Sequence, residues 1–405
     1  MELKKLLKQH TVEKKVVSPN TTPTGSDPRG FITLNLLALS SSQRKKCELC
    51  DNMATLMCEQ CRVTFYCTLQ HFQIDKDFHV EICSTVKKLK QPMPFSSQKD
   101  TRERWIKQRE FHINELFLYS WKKGQADLGK GLYDDAISAA TVAYKYAQVL
   151  YGQSENVISP MLVAAECYLK KENIKQAEWF MARTLNIELN KPDIRPSIKA
   201  TIRHNEGLLA MAKGDVQEAL MNFAEEVYQA TEEYGPTHRK TTLGFCHLGL
   251  LFHQTQKFDK SSSLFRQVVE IWTDFLVPNM ENMTAVSVVP TIKVKNEETV
   301  WIQDSDRFDA QQILTMCYTN QKERYESSGT DKQDVTKMDL ARTCYALSVL
   351  LLISKRPSEA EASANEALRY VGNQQAQEAS FVKKLQRVVK LAQRMLAQTE
   401  NQDPS

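Results

Sequence analysis

From about residue 111 onward, apolar residues recur at the three- and four-residue spacing of helices that bury one face. Within that region four segments align without gaps around a small residue that opens a second helix. They are Tyr133-Asp-Asp-Ala136-Ile137, Ile174-Lys-Gln-Ala177-Glu178, Val216-Gln-Glu-Ala219-Leu220 and Phe258-Asp-Lys-Ser261-Ser262. The anchors Ala136, Ala177, Ala219 and Ser261 are spaced by 41, 42 and 42 residues. A fixed period of that size is the mark of stacked helical hairpins. Twelve positions before each anchor stands another small residue (Gly124, Ala165, Gly207, Gly249), which lets the two helices of a hairpin approach closely. Four positions after the later anchors a bulky residue (Met181, Phe223, Phe265) is placed to fill the groove between hairpins. A fifth copy fits Ser348, Leu351, Ala360, Ala364 and Ala367, with Pro357 at its turn, and a helix over 309–326 fits half of another. The pattern predicts a mostly α chain, with an α-solenoid over 111–275, C-terminal repeats and a capping helix over 307–398, and a short tail over 399–405. The capping helix is read from Phe381, Leu385, Val388, Val389, Leu391, Ala392 and Leu396. Between the two helical regions, 276–306 carries Pro278, Pro290 and the β-leaning Ala285-Val286-Ser287-Val288-Val289. It is expected to be an irregular loop or a degraded repeat.

The first hundred residues follow other rules. Residues 1–43 are rich in Lys, Ser, Thr and Pro and are expected to be a disordered tail. Residues 91–110 read as a polar linker. Between them, 44–90 holds six of the ten cysteines in the string Cys47-x2-Cys50-x7-Cys58-x2-Cys61-x5-Cys67-x3-His71-x7-His79-x3-Cys83. Eight such ligands in so short a segment suit two tetrahedral Zn²⁺ ions with four protein ligands each. Such sites leave no open position for water or substrate, so the expectation is structural metal. A segment this small has too little core to fold by itself, and metal binding would supply the missing free energy. Cys167, Cys246, Cys317 and Cys344 fall inside helical patterns and read as core.

Composition narrows the function. Of 405 residues, 42% are hydrophobic, sufficient for a packed interior, and the formal net charge is only +4. Within 44–90 eight Lys/Arg stand against six Asp/Glu, and six thiolates on two dications subtract two further charges. No nucleic-acid face is expected from such a balance. No apolar run approaches the length that spans a bilayer, and the apolar stretch 31–39 lacks the layout of a secretion signal. The expected compartment is therefore cytosolic or nuclear, where thiols stay reduced and clustered cysteines serve metals.

The long-period helical repeat resembles the tetratricopeptide repeat. Its phrase Glu233-Tyr234-Gly235-Pro236-Thr237-His238, with Tyr151-Gly152 at the equivalent place, looks like the 42-residue repeats of kinesin light chain. That resemblance implies a groove for partner proteins, though no basic clamp for an acidic C-terminus is evident in the sequence. The ligand string resembles the MYND finger, whose interleaved topology implies one zinc on Cys47, Cys50, Cys67 and His71 and a second on Cys58, Cys61, His79 and Cys83. The chain differs from that family in having His71 at the sixth ligand and in lacking the Trp usual after Gln73-Ile-Asp75-Lys76-Asp77. MYND fingers and such helices also occur together in SET-domain lysine methyltransferases. Those need a β-rich cofactor domain and an Asn-His-Ser-Cys-like motif, and neither is legible here. No phosphate-binding Gly-rich loop, nucleophile elbow or His-Glu-x-x-His is present either, so a non-enzymatic module is expected.

The finger directly followed by long-period repeats resembles the zinc finger MYND domain-containing protein twelve family. Tyr66-Cys67-x3-His71, Met93-Pro94-Phe95, Val149-Leu150-Tyr151-Gly152 and Glu270-Ile271-Trp272 carry the likeness. The resemblance implies an adaptor of motile cilia and sperm flagella. Its partners there would be another axonemal tetratricopeptide protein and inner dynein arm subunits, with no nucleic acid and no membrane. A cytosolic assembly factor for dynein complexes and a nuclear corepressor-type adaptor stand as alternatives.

Overall fold

The computed structural model describes residues 30–37, 40, 44–50, 52–93, 95, 97–191, 193–286, 302–327, 333–372 and 378–400. Three short strands open it: β1 (Phe31–Thr33), β2 (Leu56–Cys58) and β3 (Phe65–Tyr66). They form one antiparallel sheet in the order β1-β2-β3, with Phe31 opposite Cys58 and Leu56 opposite Tyr66. Thirteen α-helices follow among the described residues. These are α1 (Leu69–Leu89), α2 (Lys99–Lys130), α3 (Tyr133–Tyr151), α4 (Ile158–Lys170), α5 (Ile174–Asn190), α6 (Pro196–Lys213) and α7 (Val216–Tyr234). Then come α8 (Thr242–Gln254), α9 (Phe258–Val286), α10 (Asp304–Ser327), α11 (Gln333–Ile353), α12 (Pro357–Val371) and α13 (Ala379–Glu400). The chain is mostly α, and none of these helices is long and apolar enough to cross a membrane.

The chain divides into two compact units, 1–215 and 216–405. In the first, α2 packs on α3, α3 on α4 and α4 on α5, while α4 also meets α6. Contact with both the next helix and the next but one is what stacked hairpins produce. In the second unit α8 packs on α9, α11 on α12 and α12 on α13, and α10 lies against α11. The repeat anchors sit where the pattern puts them: Ala136, Ala177, Ala219, Ser261 and Ala360 are all buried. The small residues opposite them are needed for space. A Cβ on Gly124 would stand 3.2 Å from the Ala140 amide nitrogen, and one on Gly249 would stand 2.7 Å from the Phe265 ring. Phe265, Phe223 and Met181 are themselves buried.

Several segment boundaries differ from the sequence expectation. The tail assigned to 1–43 ends earlier, because Phe31–Thr33 pairs as β1 and Phe31 packs edge-on against Phe72 at 5.2 Å; residues 1–29 lie outside the described ones. The linker assigned to 91–110 is helical from Lys99 onward. Its first turns are polar and largely exposed, and the buried face of α2 begins only at Ile113. The break assigned to 276–306 is entered by α9, which continues to Val286. Pro278 lies on the exposed side and removes one N–H, while Trp272, Leu276 and Met280 keep the helical stripe buried. Asn279 fastens this end, donating to Phe275 O at 2.8 Å and accepting from Ile302 N at 3.2 Å. Residues 287–301 lie outside the described ones. The helix expected over 309–326 runs from Asp304 to Ser327, and the last helix starts at Ala379.

One backbone feature repeats with the period. Five residues before each anchor, the turn inside the hairpin takes a left-handed conformation: Gly131, Glu172, Gly214, Gln256 and Lys355, with φ between 58° and 82°. Only two of the five are glycine, and a side chain costs about 1 kcal/mol there. Gln256→Gly and Lys355→Gly should each raise unfolding stability by about 0.5–1 kcal/mol, seen as a higher urea midpoint for the second unit.

Candidate metal centre

The sheet, the turns between its strands and α1 bring the eight cysteines and histidines into two groups of four. In each group the ligand atoms all lie within 4.8 Å of one another: Cys47, Cys50, Cys67 and His71 in one, Cys58, Cys61, His79 and Cys83 in the other. The grouping interleaves along the chain. β2 ends at Cys58, and the following turn returns Cys61 to it through Arg62 in the left-handed region (φ 60°), whose amide donates to Cys58 O at 3.0 Å. β3 delivers Tyr66 and then Cys67. Thr68 caps α1, its hydroxyl accepting from the His71 amide at 3.3 Å, which fixes His71 one turn from Cys67. His79 and Cys83 follow at i and i+4 on the buried side of the same helix.

The spacing of these atoms fits a small tetrahedral cation. In the first group His71 Nδ1 stands 3.2, 3.4 and 3.6 Å from the sulfurs of Cys67, Cys47 and Cys50, and Cys50 and Cys67 are 3.6 Å apart. In the second, His79 Nε2 stands 3.5 Å from Cys61 Sγ. A tetrahedron with Zn–S and Zn–N bonds of ordinary length has edges of roughly 3.6–3.8 Å. Proton sharing among the thiols points the same way. The Cys50 hydrogen bond holds Cys47 down to about 3 against burial, with help from His71, and Cys50 is pushed up in return. Cys58 and Cys61 divide likewise, Cys61 falling to about 2. A dication at each centre removes that conflict, because every thiol can then ionise.

A layer of polar groups holds the ligands. Asp75 is buried one turn before His79, its Oδ2 accepting from Tyr66 Oη at 2.7 Å and lying 3.9 Å from His79 Nδ1. His79 therefore turns Nε2 toward the sulfurs and Nδ1 toward a carboxylate, the usual backing of a metal-bound imidazole. Burial raises the Asp75 carboxyl to about 6 in spite of Tyr66 and His79. Glu48, between two ligands in sequence, shows the opposite result. Burial would raise it, yet Lys145 and Lys90 outweigh burial and hold it at about 2. Lys145 Nζ is 3.3 Å from Glu48 Oε1 and also donates to Glu48 O, and Lys90 Nζ is 3.6 Å from Oε2.

Lys145 belongs to α3, so the finger is tied to the helical array, and apolar contact completes the tie. Phe78, Ile82, Val86 and Leu89 of α1 form one core cluster with Ile113, Leu116, Ala139 and Val142 of α2 and α3. Ser138 Oγ donates to Ile74 O at 3.1 Å, Tyr119 donates to Glu81, and Phe78 stacks on Tyr119 with ring centres 6.4 Å apart. Finger and first hairpins thus share one compact unit. Phe78, which stands where the resembled family has a Trp, is 1% exposed and spent on this packing. The residues that sequence reasoning missed are Glu48, Asp75, Lys90 and Lys145. Asp75 had a local signal in its i, i+4 spacing to His79, whereas Lys145 lies 97 residues from Glu48 and had none.

A tetratricopeptide-repeat family model matches residues 199–274. The match covers the third and fourth copies of the period and takes in both Ala219 and Ser261.

Lys145→Met leaves the Glu48 carboxylate, only 17% exposed, with Lys90 as its remaining ion-pair partner among the described residues. Removing a partner from such a group costs about 1–3 kcal/mol. The expected result is faster loss of metal to a chelator and faster proteolysis between α1 and α2, with the helix content unchanged.

Proposed function

We propose that this chain is a non-enzymatic protein–protein adaptor in which two structural Zn²⁺ ions fold an N-terminal finger that is built into the start of a tetratricopeptide-type helical array. The observation that carries the reading is the pair of closed four-ligand clusters, each completed by protein atoms and each backed by groups that reach into α1 and α3. Four protein ligands leave no coordination position for a substrate, and the sulfur-rich donor set suits zinc better than harder cations. Tetratricopeptide repeats indicate protein binding, and families built on them are generally not enzymes. In this reading Cys47, Cys50, Cys67 and His71 hold one ion, and Cys58, Cys61, His79 and Cys83 hold the other.

Purified chain should carry 2 zinc ions per molecule, and Cys58→Ser at most one. Full zinc content in Cys58→Ser, measured by plasma emission spectroscopy, would count against the ligand assignment.

The finer reading places the adaptor in the axoneme of motile cilia and sperm flagella, docking another tetratricopeptide protein and inner dynein arm subunits. Its support is the likeness of Tyr66-Cys67-x3-His71, Met93-Pro94-Phe95 and Glu270-Ile271-Trp272 to the family named above. Tagged protein expressed in ciliated cells should stay with detergent-extracted, salt-washed axonemes. Complete release into the soluble fraction would replace this reading with that of a cytosolic assembly factor.

A further inference from the structure

The last described helix, α13, carries charge of one sign only. Between Ala379 and Gln398 it holds Lys383, Lys384, Arg387, Lys390 and Arg394 and no Asp or Glu. Five positive charges on this one helix exceed the formal +4 of the entire chain. All five side chains are exposed. Lys383, Arg387, Lys390 and Arg394 recur three and four residues apart, so they form one row about 16 Å long, with Lys384 beside it. Like charges at that spacing repel one another and cost the helix stability. Arg387 is relieved by Glu281 of α9 at 2.9 Å. Lys383, Lys384, Lys390 and Arg394 have no ion-pair partner among the described residues. The other stripe of the helix, Val382, Leu385, Val388 and Ala392, is buried, and α13 packs on α11 and α12. The cations therefore stand on a fixed helical face.

Three kinds of anionic partner suit a row of cations, and the face itself separates them. Helices that lie on a bilayer also insert apolar side chains, and those of α13 are spent on the interior. Single-stranded nucleic acid is held by aromatic platforms among the cations, whereas the other exposed positions along this row are Gln386 and Gln393. Carboxylates of the chain itself already sit on this face: Glu281 on Arg387, and Glu361, which accepts from Gln393 at 2.8 Å.

We propose that the exposed face of α13 is a docking surface for an acidic segment of a partner protein, a run of Glu or Asp residues whose carboxylates pair with Lys383, Lys390 and Arg394 as Glu281 pairs with Arg387. The inference rests on the adaptor reading and adds the chemistry of one partner surface.

The test uses the full-length protein and a fluorescein-labelled twelve-residue peptide of alternating Glu and Ala with blocked termini, read by anisotropy. The peptide should bind, and its affinity should fall about tenfold or more between about 50 and about 300 mM salt. The same peptide with Gln for Glu should not bind. Combined Lys383→Glu, Lys390→Glu and Arg394→Glu should weaken the acidic peptide about tenfold or more, and Gln at the same three positions should weaken it less. Combined Lys107→Glu, Lys122→Glu and Lys175→Glu, which reverses as many exposed charges in the first unit, should bind it nearly as the wild type does. All six positions are exposed, so circular dichroism should show unchanged helix content in both variants. Equal loss in the two charge-reversed variants would reduce the effect to net charge and overturn the docking surface. So would a wild-type protein that does not bind the peptide. Tighter binding to a twelve-nucleotide oligouridine, or to vesicles of equal parts phosphatidylcholine and phosphatidylserine, would overturn the choice of partner. Axoneme retention judges the adaptor reading separately in each case.

Discussion

The structure depends on α1 being shared. This helix supplies His71, His79 and Cys83 to the two cysteine-rich clusters, and Phe78, Ile82, Val86 and Leu89 to a core made with α2 and α3. Neither neighbour is complete without it. The strands around the clusters are two or three residues long and bury little beyond Phe31, Leu56, Tyr66 and Phe72, too small an interior to hold its own shape. The first hairpin, for its part, would expose Ile113, Leu116, Ala139 and Val142 if α1 were taken away.

This arrangement makes the finger a cap. A stack of hairpins ends in an apolar face that must be covered, and terminal units of such arrays are commonly unlike the internal ones for that reason. Here the covering element carries the two four-residue Cys/His clusters in place of a further repeat. The charged contacts serve the same joint. Glu48 stands between Cys47 and Cys50 and is held by Lys145 of α3, so the geometry of the first cluster is fixed partly by the hairpin it covers. At the other end of the chain α13 covers the face of α12 by ordinary means, with Leu385, Val388 and Ala392 buried along one stripe.

The helical array was largely legible because its information is periodic. Ala136, Ala177, Ala219 and Ser261 recur in register, and each sits where two helices must touch, so one rule places them all. The eight candidate ligands were legible for a different reason: Cys-x2-Cys and His-x3-Cys spacings are local, and few other structures need them. What escaped was structure that leaves no local pattern. The first turns of α2 are helical while largely exposed, so their polar sequence is that of a linker. Strand β1 is three residues whose partner lies some 25 positions on. The continuation of α9 past Pro278 is decided by Trp272, Leu276 and Met280 finding a core in the second unit, not by the propensity of the segment itself.

The left-handed turns show how tightly the period constrains the chain. Gly131 and Gly214 meet the demand without strain, and Glu172, Gln256 and Lys355 meet it against the preference of an L-residue. A hairpin that keeps this geometry whichever residue is present is held by the packing on either side of the turn, where the small anchor is buried in every copy. Tertiary contact therefore outweighs local preference at the turns, as it does at Pro278, and at the finger the same contact supplies what the short strands lack.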